Sequence, residues 1–510
     1  MKHTLKRPAR TVVKIDDRDV SLQTFMQVAL GGCRVGLSPR RSWRRRVSGG
    51  REILESALRA GHAVYGVSTG VGNNSSNGVG RSTQVEFALS VMEQHGCGVG
   101  EPLSPAEGRA VVLARLISLS KGLSAVRFGL LNAMCALLNH DIVPVIPRWG
   151  SVGASGDLTP LSYVAAVLAG RRRAYYRGRQ VDAARALASA GLKPFALGPK
   201  EPLAIMNGTS VMTAVGILTL HQFEQLIQHA EDATALAAEV LLGRAQAFGA
   251  RVHQAKPHPG QIESARRIRQ ALRGSRLMDS APEAGRPVQD RYSIRCAPQV
   301  FGVARDAIAW GKQLLQIELN SVNDNPLVDP DTGQILFGGN FFGGHPALVM
   351  DTVKMTASSV ADLIDRQFAL LVDKHYNMGL PETLVAYGGS GVKGLQMTCS
   401  ALTELTVHAS FPDSTLSRST ECANQDKVSM GLQAAIHARE SVAYLARALA
   451  TELIALSNAA SLRDQSRVSP QGAALLARIR ALSPVLRRDR PLDADIARIA
   501  HWLEGGEVAG

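Results

Sequence analysis

The chain contains few aromatic residues and few cysteines, and it has no long apolar segment free of polar groups. Aromatic side chains make up 5% of the 510 residues, which argues against a surface on which nucleic-acid bases stack. The six cysteines are scattered and form no Cys-x-x-Cys pair, so we expect reduced thiols in a cytoplasmic protein and no disulfide framework or zinc site. The most apolar stretch, residues 203–220, contains Asn207 and Thr209, so no membrane-spanning helix is predicted.

Charge of one sign is in excess, because 57 Lys and Arg face 43 Asp and Glu for a net charge of +14. Five arginines cluster within residues 40–46. A basic binding protein without catalytic activity is therefore one hypothesis. No nucleic-acid motif accompanies the cluster, so we favour a solvated helix face and expect no nucleic-acid partner. The positive field would also attract a carboxylate substrate.

The apolar pattern predicts a mainly α protein. Hydrophobic residues make up 45% of the chain, with Ala, Leu and Val dominant, and their spacing is typical of helices that pack as a central bundle. We predict two domains, residues 1–204 and 205–510. Such long apolar helices exceed what one protomer buries, which favours an oligomer. Long helices are predicted over 205–247, 297–321, 346–373, 389–409 and 427–460.

One tripeptide, Ala154-Ser155-Gly156, has a chemistry of its own. The amide nitrogen of Gly156 is able to attack the Ala154 carbonyl and close a five-membered ring. Loss of two waters, one of which takes the Ser155 hydroxyl, leaves an exocyclic methylene that an amine attacks. Gly156 has no Cβ and so permits the backbone geometry that closure requires. The alternative is a glycine-rich turn before a helix.

The tripeptide is accompanied by further motifs, and together they resemble the histidine, phenylalanine and tyrosine ammonia-lyase family, most closely its bacterial tyrosine branch. The resemblance implies the ammonia-lyase (fumarase/aspartase-like) fold and a homotetramer whose active sites each combine three subunits. It also implies that the tripeptide matures into 4-methylidene-imidazol-5-one (MIO), with no external cofactor and no metal. The motifs are residues 65–70 (Tyr-Gly-Val-Ser-Thr-Gly), 150–160 around the tripeptide, 207–209 (Asn-Gly-Thr), 292–296 (Tyr-Ser-Ile-Arg-Cys), 323–326 (Asn-Asp-Asn-Pro), 338–341 (Gly-Gly-Asn-Phe) and 424–426 (Asn-Gln-Asp).

The same resemblance implies a role for each site residue. The reaction removes ammonia across the Cα–Cβ bond of an aromatic amino acid, and a general base must take the β-proton. The implied catalytic residues are Tyr65 as that base, Ala154, Ser155 and Gly156 as the electrophile, Asn207 and Gln425 as orienting amides, Tyr292 as a hydrogen-bonding partner and Arg295 as the carboxylate clamp; Gly72, Gln94, His95, Arg295 and Asn325 are the implied substrate-binding residues.

The ring of the substrate is predicted to lie against Gln94 and His95. This pair matches none of the usual pairs of the histidine, tyrosine or phenylalanine branches. Polar side chains at this position suit a phenol better than a phenyl ring, because a buried polar group without a partner is unfavourable. We therefore expect L-tyrosine to be converted to 4-coumarate, with phenylalanine or histidine as alternative substrates. A tyrosine 2,3-aminomutase, which returns ammonia to Cβ, is a further alternative.

Overall fold

The computed structural model describes residues 11–281 and 288–506. Helices dominate these residues, which confirms the prediction of a mainly α protein. In chain order the helices are α1 (Leu22–Ala29), α2 (Arg41–Arg59), α3 (Gln84–Gln94), α4 (Pro105–Ser120), α5 (Phe128–Asn139), α6 (Leu158–Leu168), α7 (Ala183–Ser189), α8 (Glu201–Met206), α9 (Ser210–Val240), α10 (Ala250–Gln254), α11 (Pro259–Ala271), α12 (Tyr292–Arg295), α13 (Ala297–Leu319), α14 (Gly344–Val372), α15 (Lys393–His408), α16 (Gly431–Ser461), α17 (Pro470–Leu482) and α18 (Asp493–Leu503).

The strands of the described residues are short and form four small sheets. β1 and β2 pair in parallel, and the other sheets are antiparallel. In the β6–β7 hairpin, Arg177 and Gly178 have φ values of 51° and 74°, the left-handed pair that a two-residue turn favours. The strands are β1 (Val12–Ile15), β2 (Arg34–Leu37), β3 (Val99–Pro102), β4 (Val143–Pro144), β5 (Pro147–Trp149), β6 (Arg173–Tyr176), β7 (Arg179–Asp182), β8 (Leu327–Asp329) and β9 (Gln334–Leu336).

The chain divides into two compact units that are interleaved along the sequence. The first unit contains residues 1–218, 312–350 and 412–436, and the second contains residues 219–311, 351–411 and 437–510. These units do not coincide with the division at residue 204 that the sequence suggests. Four of the five boundaries fall within α9, α13, α14 and α16, and the fifth, at residues 411–412, lies after α15. Most of the boundaries are therefore not marked by a loop.

One predicted helix, over residues 205–247, is wrong in its bounds. The chain instead forms α8, leaves the helix at Asn207 and starts α9 at Ser210. Asn207 has extended backbone (φ −84°, ψ 109°), and Gly208 has φ 147°, a value that side-chain-bearing residues avoid. Because of this interruption, the Asn207 side chain and the Gly208 backbone groups are available for hydrogen bonds outside the helices.

The first unit is built around α4, a helix that is buried along nearly its whole length. A capping box at Ser104 and Glu107 starts it, and its residues are almost all apolar or small. Trp43 of α2 is fully buried beside it, donates its indole N–H to the Ser120 carbonyl at 2.7 Å and packs edge-on against Phe128. A side chain of this size buries a large apolar area and fixes how α2 packs.

In the second unit, a buried carboxylate joins three helices. Glu231 of α9 is fully buried and receives hydrogen bonds from Arg267 of α11 at 2.7 Å and from two nitrogens of Arg305 of α13 at 2.7 and 2.6 Å. Paired bonds of this kind fix orientation as well as distance. Close contact between α11 and α13 is possible because Gly260 lies on the backbone of Gly302, where a Cβ would overlap the carbonyl oxygen.

None of the helices in residues 11–281 and 288–506 combines the length and hydropathy of a membrane span. Over the same residues, no three His, Cys, Asp or Glu side chains are grouped as metal ligands would be. All six cysteines are thiols. Burial raises the pKa of Cys135 and of Cys399 to about 12, so these two thiols stay protonated at neutral pH.

The N-terminus of α9 is held by a carboxylate that is fully buried. Asp157 Oδ2 accepts the backbone N–H groups of Val211 at 3.0 Å and Met212 at 2.8 Å, where the helix dipole favours negative charge. The Ser151 hydroxyl donates to Oδ1 at 3.3 Å. Burial raises the pKa of Asp157 to about 7, although these hydrogen bonds oppose the shift.

The variant Asp157→Asn tests this raised pKa. Between 3.8, the ordinary pKa of the carboxyl group, and about 7, the unfolded chain holds fewer protons than the folded chain, so rising pH favours unfolding of the wild type. The asparagine does not ionise. We expect the free energy of unfolding of the wild type, relative to the variant, to fall by a few kcal/mol as pH rises through this window. Urea unfolding across the window measures it, and a difference that is independent of pH would contradict the assignment.

Candidate active site

A cavity of about 660 Å³ opens in the first unit, within the size range of small-molecule sites. The loop after α2, the end of α3, the turn before α6 and residues 420–427 form most of its walls. Of the residues predicted from the sequence, the lining contains Tyr65, Gly72, Gln94, His95, Ala154, Ser155, Asn207, Asn325 and Gln425. The structure therefore brings together residues as distant in the sequence as Tyr65 and Gln425, which are 360 positions apart.

The tripeptide at the base of the cavity has an unusual backbone. Ser155 and Gly156 have φ values of 56° and 75°, and left-handed backbone is unfavourable for a serine. Gly156 lies directly on the backbone of Gly208, where a Cβ would overlap the Gly208 carbonyl. The Asp157 N–H donates to that carbonyl at 2.7 Å. The missing Cβ of Gly156 thus allows the two chain segments to approach more closely than a side chain would permit.

The carbonyl oxygen of Ser155 receives two hydrogen bonds. The Gly208 N–H donates to it at 3.1 Å and the Asn207 Nδ2 donates at 3.0 Å. Asn207 Oδ1 is buried and accepts no hydrogen bond from the described residues. Gln425 Nε2 donates to the Ser155 hydroxyl at 3.3 Å, and the amide is itself held by the Thr420 hydroxyl, which donates to Oε1 at 2.7 Å. Two N–H donors on one carbonyl are the arrangement of an oxyanion hole.

Tyr65 lies in the loop after α2, and its phenolic oxygen accepts the Gly72 N–H at 2.9 Å. The Tyr65 hydroxyl is the acceptor in this bond, so its own proton is not used there. Gly72 has φ 58°, and a Cβ there would lie 2.5 Å from Oε1 of Glu421. The Glu421 carboxylate therefore packs on the backbone of Gly72, and Gly72 belongs to the same loop as Tyr65. Only glycine accommodates both the backbone conformation and this contact.

The end of α3 presents Gln94 and His95 to the cavity. His95 is the residue on which the helix ends, and its Nδ1 lies 2.7 Å from the Val91 carbonyl. A carbonyl only accepts, so Nδ1 is the donor of this contact, and Nε2 is the ring nitrogen left for a further hydrogen bond. The Ser162 hydroxyl donates to the His95 carbonyl at 3.1 Å and so holds this helix end from α6.

Asn325 lies just before β8 and lines the cavity. Its Oδ1 accepts the Gly338 N–H at 2.9 Å. Phe341 and Phe342 also line the wall. Asn323, two residues earlier, faces away from solvent at 3% exposure and bonds with other buried groups. It has the structural role expected of a satisfied amide.

Tyr292 and Arg295 are not among the residues that line this cavity. They form α12 in the second unit, where the Arg295 guanidinium lies 4.4 Å from the centre of the Tyr292 ring. Arg295 Nε also donates to the Asp290 carbonyl at 3.0 Å. Tyr292 is 71% exposed. Their roles as hydrogen-bonding partner and carboxylate clamp stay predictions.

Sequence reasoning assigned no role to three charged residues of the cavity wall, Glu421, Asp426 and Lys427. Asp426 belongs to the Asn-Gln-Asp motif at 424–426 and the other two flank it, so that motif was the available signal. Glu421 is the first of three consecutive residues with left-handed φ, at 55°, 52° and 64°. No glycine in the sequence marks this turn, and its side-chain directions were therefore not predictable.

Comparison with known proteins supports the resemblance over nearly the whole chain. A model of the aromatic amino acid lyase family matches residues 20–481. Histidine ammonia-lyase of Anaeromyxobacter dehalogenans is 38% identical over 504 residues, which cover 97% of this chain and 99% of that protein. Tyrosine ammonia-lyase of Cereibacter sphaeroides is 39% identical over 526 residues, which cover 98% and 99%.

A solved structure shows the same fold. The crystal structure of tyrosine aminomutase from Streptomyces globisporus matches with a TM-score of 0.91 at 36% identity, over 97% of each chain. The match confirms the predicted fold class. Because the family model spans every motif that surrounds the tripeptide, the chain belongs to the aromatic amino acid ammonia-lyase family and is a carbon–nitrogen lyase.

Proposed function

We propose that this chain eliminates ammonia from an aromatic L-amino acid, with L-tyrosine to 4-coumarate as the preferred reaction. The observation that carries the proposal is the Ser155 carbonyl, which receives the N–H groups of Asn207 and Gly208 at the base of a cavity of suitable size. Polarisation of this carbonyl withdraws electrons from the adjoining backbone, as an electrophile derived from the tripeptide requires.

The residues around the tripeptide fit an MIO group. Left-handed backbone at Ser155 and Gly156, together with the missing Cβ at Gly156, suits a compact turn that closes into a ring. The buried Oδ1 of Asn207 and the Gln425 amide add polar groups at its edge. When present, the group supplies an electrophilic methylene that accepts the substrate amine and makes nitrogen a better leaving group.

Tyr65 is the proposed base for the β-proton. The Gly72 N–H donates to the phenolic oxygen at 2.9 Å and so fixes the position of that oxygen. Cavity, tyrosine and tripeptide belong to one unit, so the phenolic oxygen and the electrophile would face the same bound substrate.

Charged groups of the cavity wall match a substrate that is a zwitterion. The Glu421 and Asp426 carboxylates would attract the ammonium group, and Lys427 and Asn325 would attract the carboxylate. Arg295 is the proposed carboxylate clamp and Tyr292 its neighbour. We propose that both reach the cavity from a neighbouring subunit of a homotetramer, a hypothesis that the exposure of Tyr292 and the family resemblance support.

His95 favours a ring that carries a hydrogen-bond donor. With Nδ1 held by Val91, the lone pair of Nε2 accepts from a phenol O–H, and a phenyl ring would leave it without a partner. The imidazole N–H of histidine would serve equally well. Because of this, and because relatives such as that of Anaeromyxobacter dehalogenans are named histidine ammonia-lyases, conversion of histidine to urocanate is the second candidate.

The variant Ser155→Ala tests the electrophile, since alanine lacks the hydroxyl that must leave as water. We expect the wild-type chain to weigh two waters less than its sequence and the variant to keep at least the water of that hydroxyl. Activity of the variant on tyrosine, histidine and phenylalanine should fall by about a thousandfold or more. Intact mass and absorbance of the cinnamate-type product measure both. Ser90→Ala, on the exposed face of α3, is the control; unchanged turnover in Ser155→Ala would refute the mechanism.

The variant His95→Leu tests ring recognition. Removal of the acceptor should lower kcat/KM for tyrosine and for histidine by about tenfold or more relative to phenylalanine, because a bound donor would lose its partner. Parallel assays of the three amino acids give the ratios. Equal ratios in the wild type and the variant would show that His95 does not face the ring.

Product analysis separates a lyase from an aminomutase. Chromatography of the products formed from L-tyrosine should show 4-coumarate from the earliest time points. If β-tyrosine accumulated ahead of 4-coumarate, the chain would be a tyrosine 2,3-aminomutase, the activity named for the Streptomyces globisporus protein.

A further inference from the structure

Behind the wall of the cavity lies a group of buried polar residues that the reaction does not use. Arg115 and Lys200 are fully buried, and Asn323 and Asp324 are 3% and 1% exposed. We call these four residues the Arg115 network. Charges are rarely buried unless they are paired, and a buried pair contributes little net stability compared with apolar residues of the same size. A role beyond stability is therefore worth seeking.

Arg115 of α4 connects the end of α8 with the Asn-Asp-Asn motif. Its Nη2 donates to the Ala204 carbonyl at 2.6 Å, close to the C-terminus of α8, where a cation is favourable. Its Nη1 donates to Asn323 Oδ1 at 2.6 Å. Burial lowers the pKa of Arg115 to about 10, and Asp324 opposes this shift, so the guanidinium stays charged at neutral pH.

Lys200 connects the start of α8 with the same motif. It precedes the helix in left-handed conformation, with φ 72°, and its ammonium group pairs with Asp324 Oδ2. The Ser124 hydroxyl donates to Asp324 Oδ1 at 2.8 Å. Both ends of α8, which leads directly into Asn207, are thus tied to the segment that leads into Asn325.

The network also touches the interrupted backbone between α8 and α9. A Cβ on Gly208 would overlap Arg115 Nη1 and Asn323 Oδ1, so both polar groups press on this glycine. Asn323 Nδ2 donates to the Thr209 hydroxyl at 2.8 Å. On the opposite side, Gly208 and Asn207 donate to the Ser155 carbonyl. The segment 207–209 is held between the network and the tripeptide.

We propose that Arg115 is a positioning residue, which through Ala204, Asn323 and Gly208 places the two N–H donors on the Ser155 carbonyl. The role rests on the proposed function. Displacement of reacting groups by about 1 Å lowers a rate by about a hundredfold, so a network far from the substrate suffices to control activity. Its loss would impair both the maturation of the tripeptide and the use of the mature site.

The test compares Arg115→Lys with Arg109→Lys. Lysine keeps the charge but lacks the planar fork that holds two acceptors at once. Arg109 lies on the same helix, is 5% exposed, donates to the carbonyls of Val28 and Leu138 and pairs with the Asp141 carboxylate. None of these three partners lines the cavity. Each variant therefore removes a buried fork that holds several acceptors, but only the Arg115 fork is linked to the site.

Three quantities are measured for each purified chain: the fraction that has lost two waters by intact mass, kcat and KM with the amino acid that the wild type turns over, and the thermal midpoint. For Arg115→Lys we expect kcat/KM to fall by about tenfold or more, through a smaller mature fraction, a lower kcat of the mature fraction, or both. Arg109→Lys should stay within about threefold of the wild type even where its thermal midpoint falls.

The outcomes separate the two proposals. If the wild type matures and is active, and Arg115→Lys equals Arg109→Lys in mature fraction and kinetic constants, the positioning role is overturned and the proposed function stands. If the wild type keeps both waters and turns over no aromatic amino acid, the proposed function fails and the role of Arg115 fails with it.

A second variant applies if Arg115→Lys does not fold. Asn323→Leu keeps roughly the size of the side chain, but it removes both the acceptor for Arg115 and the N–H that Thr209 accepts. The same drop in mature fraction or kcat/KM is expected from a folded Asn323→Leu chain, and wild-type values would overturn the proposal. Failure of both variants to fold would assign the network to folding alone, which also overturns it.

Discussion

The close approach of two glycines is the constraint on which the rest of the site depends. A Cβ on Gly156 would overlap the Gly208 backbone, and a Cβ on Gly208 would overlap Arg115 and Asn323. The Gly208 N–H donates to the Ser155 carbonyl, and the Asp157 N–H donates to the Gly208 carbonyl. This contact places the carbonyl that must be polarised opposite the N–H groups that polarise it. It also explains why the helix is broken between α8 and α9, because a continuous helix would have used the Gly208 backbone groups internally.

Buried charges surround this contact on two sides. Asp157 holds the start of α9 from the side of the tripeptide, and Arg115 holds the end of α8 from behind. Both are fully buried, where an unpaired polar group is strongly unfavourable. Each therefore needs defined hydrogen-bond partners, and these hydrogen bonds fix the geometry of residues 207–209. Polar groups of this kind specify one arrangement where an apolar core would tolerate several.

Different parts of the cavity wall carry different chemical groups. Its base carries the tripeptide and the amides of Asn207 and Gln425, the loop after α2 carries Tyr65, and the end of α3 carries Gln94 and His95. In the proposed function, the base and the loop act on the bond that breaks, whereas the end of α3 recognises the ring. This separation agrees with a family in which proteins of nearly the same fold are named for different amino acids.

Much of the fold and part of the cavity were predictable from the sequence. Apolar spacing predicted α13, α14 and α16 to within a few residues, because a long helix shows a clear repeat of apolar residues. The resemblance to the family identified nine of the residues that line the cavity. The sequence did not predict the break at Gly208, because a single glycine in an apolar run is compatible with a helix. It did not predict the position of Glu421 over Gly72, because three left-handed residues without a glycine set that turn. The residue types by themselves determined which chemistry is available, while the tertiary structure alone decided which groups meet, since a hydrogen bond depends on distances between segments that the chain brings together only when it folds.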